Sequence, residues 1–200
     1  MSTHKCILQI ENYRMLFGNF LPEVRSEPER VRLIDGMLTD FRTAFPDLVF
    51  ELRLIQRVVN AQAILLYGKC CVLIYGGLAL HPRLAENSLM LVFLHEVGHH
   101  LASGPRLPFN LSLACECVAD NWATGEGSDI LYRKSGRRLQ VGKALDELEG
   151  LMDVRQDSEL RPEEQTSNCW QHKWMLRKKV LKATHAQSSI SVCELFGPKM

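Results

Sequence analysis

The stretch HEVGHH at residues 95–100 contains the side chains best suited to carry chemistry. Residues four apart on a helix project from one face, so His95 and His99 can place two imidazoles on one metal ion. Glu96 then stands beside them, within reach of a metal-bound water. This is the H-E-x-x-H arrangement, which indicates a zinc site with a glutamate as general base.

A catalytic zinc usually has three protein ligands and an open position for water, so a third ligand is expected downstream. The metzincin spacing is absent, because Ala102 and Pro105 stand where that pattern requires Gly and His. The segment LACECVADNWA instead holds Glu116 and Asp120 at i and i+4, on one face of a predicted helix. Glu116 can bind the metal, while Asp120 can accept a hydrogen bond from the free ring nitrogen of a ligand histidine.

HEVGH followed by ECVAD, an E-x-x-A-D element, resembles the gluzincin zinc peptidases. It is similar in particular to the minimal kind, the HtpX-like peptidases and the ImmA/IrrE-type proteins. The resemblance covers about residues 72–124 of the 200. The chain departs from these relatives in two ways: it lacks the membrane helices of HtpX relatives, and nothing in it resembles the helix-turn-helix segment of some IrrE-like proteins. Substrate and pathway therefore do not carry over.

The resemblance implies a role for each residue of the two motifs. The ligands of one zinc ion per chain would be His95, His99 and Glu116. Glu96 would be the general base, and Asp120 would support His95. The implied activity is hydrolysis of a peptide or protein substrate.

Size and charge limit the other possibilities. With 200 residues, 46% of them hydrophobic, the chain fits one domain better than two. Lys and Arg number 24 against 23 acidic residues, so no global field attracts nucleic acid or an anionic membrane. The amino terminus shows no signal-peptide core, and the most apolar span, residues 61–80, contains Lys69 and three glycines. We therefore expect a cytoplasmic protein without a membrane helix, and reduced thiols in its seven cysteines.

The elements that would position the motifs follow from periodicity. An S-x-x-E capping box at residues 26–29 begins an amphipathic helix that ends before Pro46, and period-two alternation predicts a strand at 48–55. Two further strands, AQAILLY and CVLIYGGLA, are joined by a turn at residues 68–70. The predicted helices then cover about residues 84–103, 111–124, 138–154 and 162–184.

These elements predict an α+β fold. The fold would be zincin-like, of the minimal gluzincin type. A small mixed or antiparallel sheet would pack on the helix that carries HEVGHH, and the carboxy-terminal part would be mostly helical. The single domain would comprise a metallopeptidase core at 26–125, a helical part at 126–185 and an irregular tail at 186–200.

Some features near the motifs admit two interpretations. The strand CVLIYGGLA could run along the cleft and pair with an extended substrate, and Gly76-Gly77 would suit close backbone approach there or an ordinary hairpin or bulge. His100 would line the cleft or lie outside the metal site, because it points about 100° away from His99. Cys115 and Cys117 flank Glu116 but project off its face, which favours core thiols over ligands.

The rest of the chain offers weaker candidates. Tyr132, His172 and His185 are available as oxyanion stabilisers. Trp170 and Trp174 are spaced as a core stripe of the last helix. The same helix carries a basic face that suits solvent, or else acidic partners or nucleic acid: Lys173, Arg177, Lys178, Lys179 and Lys182.

Three classes of function remain open. The first is a zinc-dependent metallopeptidase. The second is a regulatory or binding protein on a gluzincin scaffold, with little or highly restricted peptidase activity. The third is a structural protein in which HEVGHH is accidental. The intact Glu96 favours the first, because a purely structural zinc site needs no base.

Overall fold

The computed structural model describes residues 28–108, 110–149 and 181–182. The described elements combine a three-stranded sheet, a two-stranded ribbon and several helices, so the α+β prediction is confirmed. In chain order, the elements are α1 (Pro28–Ala44), β1 (Val49–Arg53), β2 (Ala61–Leu66), β3 (Lys69–Tyr75), α2 (Gly76–Ala79), α3 (Glu86–Leu101), β4 (Arg106–Leu107), β5 (Asn110–Ala114), α4 (Glu116–Trp122), a π-helical segment (Ala123–Gly127), α5 (Ser128–Ser135) and α6 (Val141–Glu149).

The first helix matches its predicted periodicity. Ile34, Met37, Leu38 and Phe41 of α1 are all buried, and Phe41 packs edge-on against Phe93 of α3 with ring centroids 5.5 Å apart. Apolar residues at this spacing form one face of the helix, which is why α1 lies over the core. Ser26, the proposed cap, lies outside the described residues.

The main sheet is mixed, with strand order β1-β3-β2. β2 and β3 form the predicted antiparallel hairpin, but Leu66 pairs directly with Lys69. The turn is therefore Tyr67-Gly68, whose φ angles of 50° and 74° suit a tight hairpin turn, and not residues 68–70. β1 pairs with β3 in parallel, so β3 is the central strand.

The predicted third strand is too long. β3 ends at Tyr75, and residues 76–79 form the short helix α2. A Cβ on Gly76 would lie 2.1 Å from the Leu54 carbonyl oxygen, and one on Gly77 would lie 2.4 Å from the Arg57 carbonyl oxygen. The glycine pair thus permits close contact with the loop after β1. It is neither a hairpin nor a bulge.

Helix α3 is the central element of the fold. All of its residues from Asn87 to His99 are buried, as expected for a helix that is apolar on nearly every side. It contacts β2, β5, α4 and α6. The HEVGHH stretch occupies its last turns, as the sequence predicts.

The predicted helix at 111–124 is wrong in its first part. Asn110–Ala114 form β5, which pairs with β4, and α4 begins only at Glu116. The strand is exposed at Leu111 and Ser112 and buried at Leu113 and Ala114, so only its carboxyl end enters the core. Both motif carboxylates still lie on α4.

The predicted helix end at Gly125 coincides with a kink, where Gly125 has non-helical φ and ψ within the π-helical segment. A second helix, α5, follows this kink, and the sequence did not predict it. The Ser128 hydroxyl donates hydrogen bonds to the carbonyl oxygens of Thr124 and Gly125 across this kink. α5 ends at Ser135 and is followed by Gly136, which has the left-handed conformation favourable to glycine.

Helix α6 lies within the predicted 138–154 helix and fixes the start of α3. The Glu147 carboxylate accepts a hydrogen bond from the Ser88 backbone, and the Asn87 side chain accepts one from the Gln140 backbone. These two bonds satisfy helix-terminal N–H groups on both partners. The predicted 162–184 helix and the tail lie outside the described residues, except for Leu181 and Lys182.

The sequence predicts that the protein has no membrane-spanning helix. Among the residues that the structure describes, no helix has both the length and the apolar character needed to cross a bilayer.

Candidate metal centre

The two motif histidines lie side by side on α3. Their ring centroids are 4.5 Å apart, and the rings are nearly perpendicular. His95 and His99 are both completely buried. Helical spacing of four residues produces this pair, as the sequence predicts.

Glu116 completes a group of three possible donors. Its carboxylate oxygens lie 3.3 Å from Nε2 of His95 and 3.7 Å from Nε2 of His99. One ligand atom from each of the three residues lies within 4.8 Å of the others, so the group could hold a metal ion. Glu116 is the first residue of α4, where the helix dipole favours a negative charge.

The second ring nitrogen of each histidine has its own partner. Nδ1 of His95 lies 2.8 Å from Oδ1 of Asp120, the contact that the family resemblance implied. Nδ1 of His99 lies 2.7 Å from the Ala114 carbonyl oxygen. A carbonyl can only accept, so His99 carries its proton on Nδ1 and Nε2 is left as the electron-pair donor. Such partners orient metal-binding imidazoles and increase their basicity.

The sequence reading missed the Ala114 contact. Ala114 is the last residue of β5, a strand that the sequence placed inside a helix. The partner is a backbone carbonyl, which leaves no side-chain signature to search for.

The acidic neighbours give His95 an unusual affinity for a proton. Burial alone would lower its pKa, but the charge of Asp120 and its hydrogen bond, together with those of Glu116, raise the pKa of His95 to about 9. The two carboxylates around His95 therefore favour a positive charge in this centre. A metal ion that binds there must displace the proton.

Glu96 is buried beside the sheet and is held by β2. Its Oε2 accepts a hydrogen bond of 2.7 Å from the Ala63 backbone N–H. Leu66 and Lys69 flank the two-residue turn and therefore form a hydrogen-bonded pair. Because such pairs alternate along an antiparallel ladder, the backbone N–H and C=O groups of residues 66, 64 and 62 point toward β3. Those of residues 65, 63 and 61 point away from β3. The Ala63 N–H thus belongs to the outer edge of β2. This contact also has no signature in the sequence.

The prediction that the strand CVLIYGGLA pairs with an extended substrate is wrong. β3 is flanked by β1 and β2, so its backbone groups are already paired. Among the described elements, no strand pairs with the outer edge of β2, and this is the edge that contacts Glu96.

Three residues next to the proposed ligands lie outside the donor group: His100, Cys115 and Cys117. Nε2 of His100 donates to the Cys71 carbonyl oxygen at 3.0 Å, so its ring faces the sheet. Burial lowers the pKa of His100, against the effect of this hydrogen bond. Cys115 and Cys117 are buried, and the donor group contains neither.

The weaker candidates lie elsewhere or cannot be placed. Tyr132 is half exposed on α5, where the Arg138 guanidinium lies 5.1 Å from its ring centroid. Of the basic face, Lys182 is described and pairs with Asp146 at 3.3 Å. The remaining candidates lie outside the described residues: His172, His185, Trp170, Trp174, Lys173, Arg177, Lys178 and Lys179.

In comparisons with known proteins, the chain matches no family model, no curated protein and no solved structure. The buried histidine–glutamate group and its surroundings are therefore the basis for a functional proposal.

Proposed function

We propose that the protein is a zinc-dependent metallopeptidase with a zincin-like fold of the minimal gluzincin type. One observation carries the proposal. The group of His95, His99 and Glu116 could hold a metal ion, and the helix that supplies its two histidines, α3, also carries the buried Glu96.

The donor set fits zinc. Two imidazole nitrogens and one carboxylate oxygen form a common ligand set of catalytic zinc and leave a coordination position for water or substrate. Hard cations such as Mg²⁺ and Ca²⁺ prefer sites made of oxygen alone. When bound, zinc would supply Lewis acidity and lower the pKa of a coordinated water toward neutrality.

Glu96 supplies the proton transfer in this proposal. It would accept the proton of the attacking water and deliver it to the leaving amine. The Ala63 N–H holds one of its oxygens at 2.7 Å, so the orientation of the carboxylate is fixed in advance. A zinc site with only a structural role would have no use for such a base.

The open edge of β2 supports a peptide substrate. Apart from the Ala63 N–H, which donates to Glu96, its outward-pointing backbone groups can pair with an extended chain by strand addition. Because Ala63 belongs to this edge and contacts Glu96, a peptide lying there would pass directly beside the base.

Glu96→Gln tests the proposal, with Glu126→Gln at an exposed position as the matched control. The zinc-loaded full chain is incubated with a mixture of random-sequence peptides, and cleavage is followed by mass spectrometry. We expect Glu96→Gln to lower turnover by about a hundredfold or more, with unchanged zinc content, because it removes the proton acceptor. Glu126→Gln should behave as wild type.

Equal turnover in wild type and Glu96→Gln would exclude Glu96 as the base. Stoichiometric zinc without cleavage of any peptide would instead favour the regulatory or binding protein.

A further inference from the structure

Helices α3 and α4 approach each other closely at Gly98, a glycine inside the motif. A Cβ on Gly98 would lie 2.8 Å from the carbonyl oxygen of Ala119 and 3.1 Å from its Cα. Both atoms belong to the backbone of α4, so no change of side-chain rotamer could relieve the contact. Glycine in the middle of a helix is less favourable than alanine, which calls for a compensating reason.

That reason lies in the position of the contact. Gly98 directly precedes His99 on α3, and Ala119 directly precedes Asp120 on α4. The two histidines come from one helix and the two carboxylates from the other. The separation of the helices therefore decides whether Glu116 and the histidines can share one metal ion.

We propose that Gly98 is a positioning residue of the metal centre. Its missing side chain lets α4 approach closely enough for Glu116 to reach the Nε2 atoms and for Asp120 to reach Nδ1 of His95. This inference rests on the metal site of the proposed function.

The size of the required shift supports the proposal. Ordinary Cβ contacts begin at 3.4 Å, so a Cβ now 2.8 Å from the Ala119 oxygen requires a displacement of 3.4 − 2.8 = 0.6 Å. Metal–ligand distances tolerate about 0.2 Å. A displacement three times that tolerance would move the carboxylates away from the histidines, while the histidine pair on α3 stays intact.

The test compares zinc affinities of the full chain, measured by competition with a chelating dye. Gly98→Ala should bind zinc about 10- to 100-fold more weakly, as expected when a ligand or its support is misplaced. Gly142→Ala is the matched control, because a Cβ on Gly142 has no atom within 4 Å. Its affinity should stay within twofold of wild type.

A second background separates positioning from general destabilisation. In the double variant Glu116→Ala/Asp120→Ala, both carboxylates that α4 brings to the histidines are gone. Gly98→Ala should then change zinc affinity by less than twofold. An equal loss in both backgrounds, or a Gly98→Ala chain that does not fold in either, would assign Gly98 to helix packing alone and overturn the proposal.

Two further outcomes separate the role of Gly98 from the proposed function. Unchanged affinity in Gly98→Ala, with normal binding by wild type, would overturn the role of Gly98 and leave the proposed function standing. No zinc binding by wild type would overturn both.

Discussion

Zinc binding should release the proton that His95 carries in the metal-free protein. The carboxylates of Asp120 and Glu116 raise the pKa of His95 to about 9 despite its burial. At neutral pH the imidazole is therefore protonated, and a metal ion must compete with the proton for Nε2. Below this raised pKa the proton is bound and competes with zinc for His95. Zinc affinity should therefore increase as pH rises toward 9.

The magnitude follows from the pKa. The competition of one proton weakens zinc binding by a factor of about 100 at pH 7 and about 2 at pH 9, so zinc affinity should increase by about 50-fold between these two values. At pH 7.5, a group with a pKa of about 9 is almost fully protonated, whereas an ordinary histidine with a pKa of 6.5 carries only about 0.1 proton. Calorimetric titration with zinc in two buffers of different ionisation enthalpy measures the number of protons released.

Asp120→Asn provides the control, because it keeps a hydrogen-bond acceptor for His95 and removes the larger of the two charges that raise its pKa. A water on the bound zinc can also release a proton, and this contribution is common to both proteins. At pH 7.5, wild type should release more protons on zinc binding than Asp120→Asn does. Equal proton release by the two proteins, together with equal slopes of affinity against pH, would refute the reasoning.

Two further substitutions test the support of the centre and the packing of the fold. Asp120→Ala should lower zinc affinity about 10- to 100-fold, and Glu116→Ala should lower it further because a direct ligand is lost. Zinc titration of both compares them, and equal losses would mean that ligand and support have been confused. Gly76→Ala should lower the free energy of unfolding in urea by about 2 kcal/mol or more, because its Cβ would lie 2.1 Å from a backbone oxygen. Gly142→Ala should not destabilise the protein, and equal stability of the two variants would contradict this packing.

The donor group could be predicted because helical periodicity carries its information. Four-residue spacing places His95 above His99, and the same spacing places Asp120 one turn after Glu116. The predicted helix began several residues too early, yet both carboxylates fall inside α4, so the error did not affect their relation.

What could not be predicted depends on contacts between distant segments. β5 is only five residues long and obtains its partner from β4, so its local pattern did not distinguish strand from helix. The parallel pairing of β1 with β3 makes β3 central, and nothing in the β3 sequence specifies that neighbour. The backbone groups of Ala63 and Ala114, which hold Glu96 and His99, carry no side-chain signal at all.

The glycine that was expected to end a helix lies at an interruption. Gly125 has non-helical φ and ψ at the kink between α4 and α5, so the local signal identified the break but not the helix that follows it. The Cβ of a residue at Gly127 would lie 2.4 Å from the Trp122 ring, so this glycine permits close packing within the kink.

Metal content tests the central claim most directly. The full chain is dialysed against buffered micromolar zinc at pH 8, and its metal is determined by mass spectrometry beside His99→Ala, which removes one donor of the group. We predict one zinc per wild-type chain and a large loss of zinc affinity in the variant. A wild-type chain without zinc, or His99→Ala with stoichiometric zinc at wild-type affinity, would contradict the account.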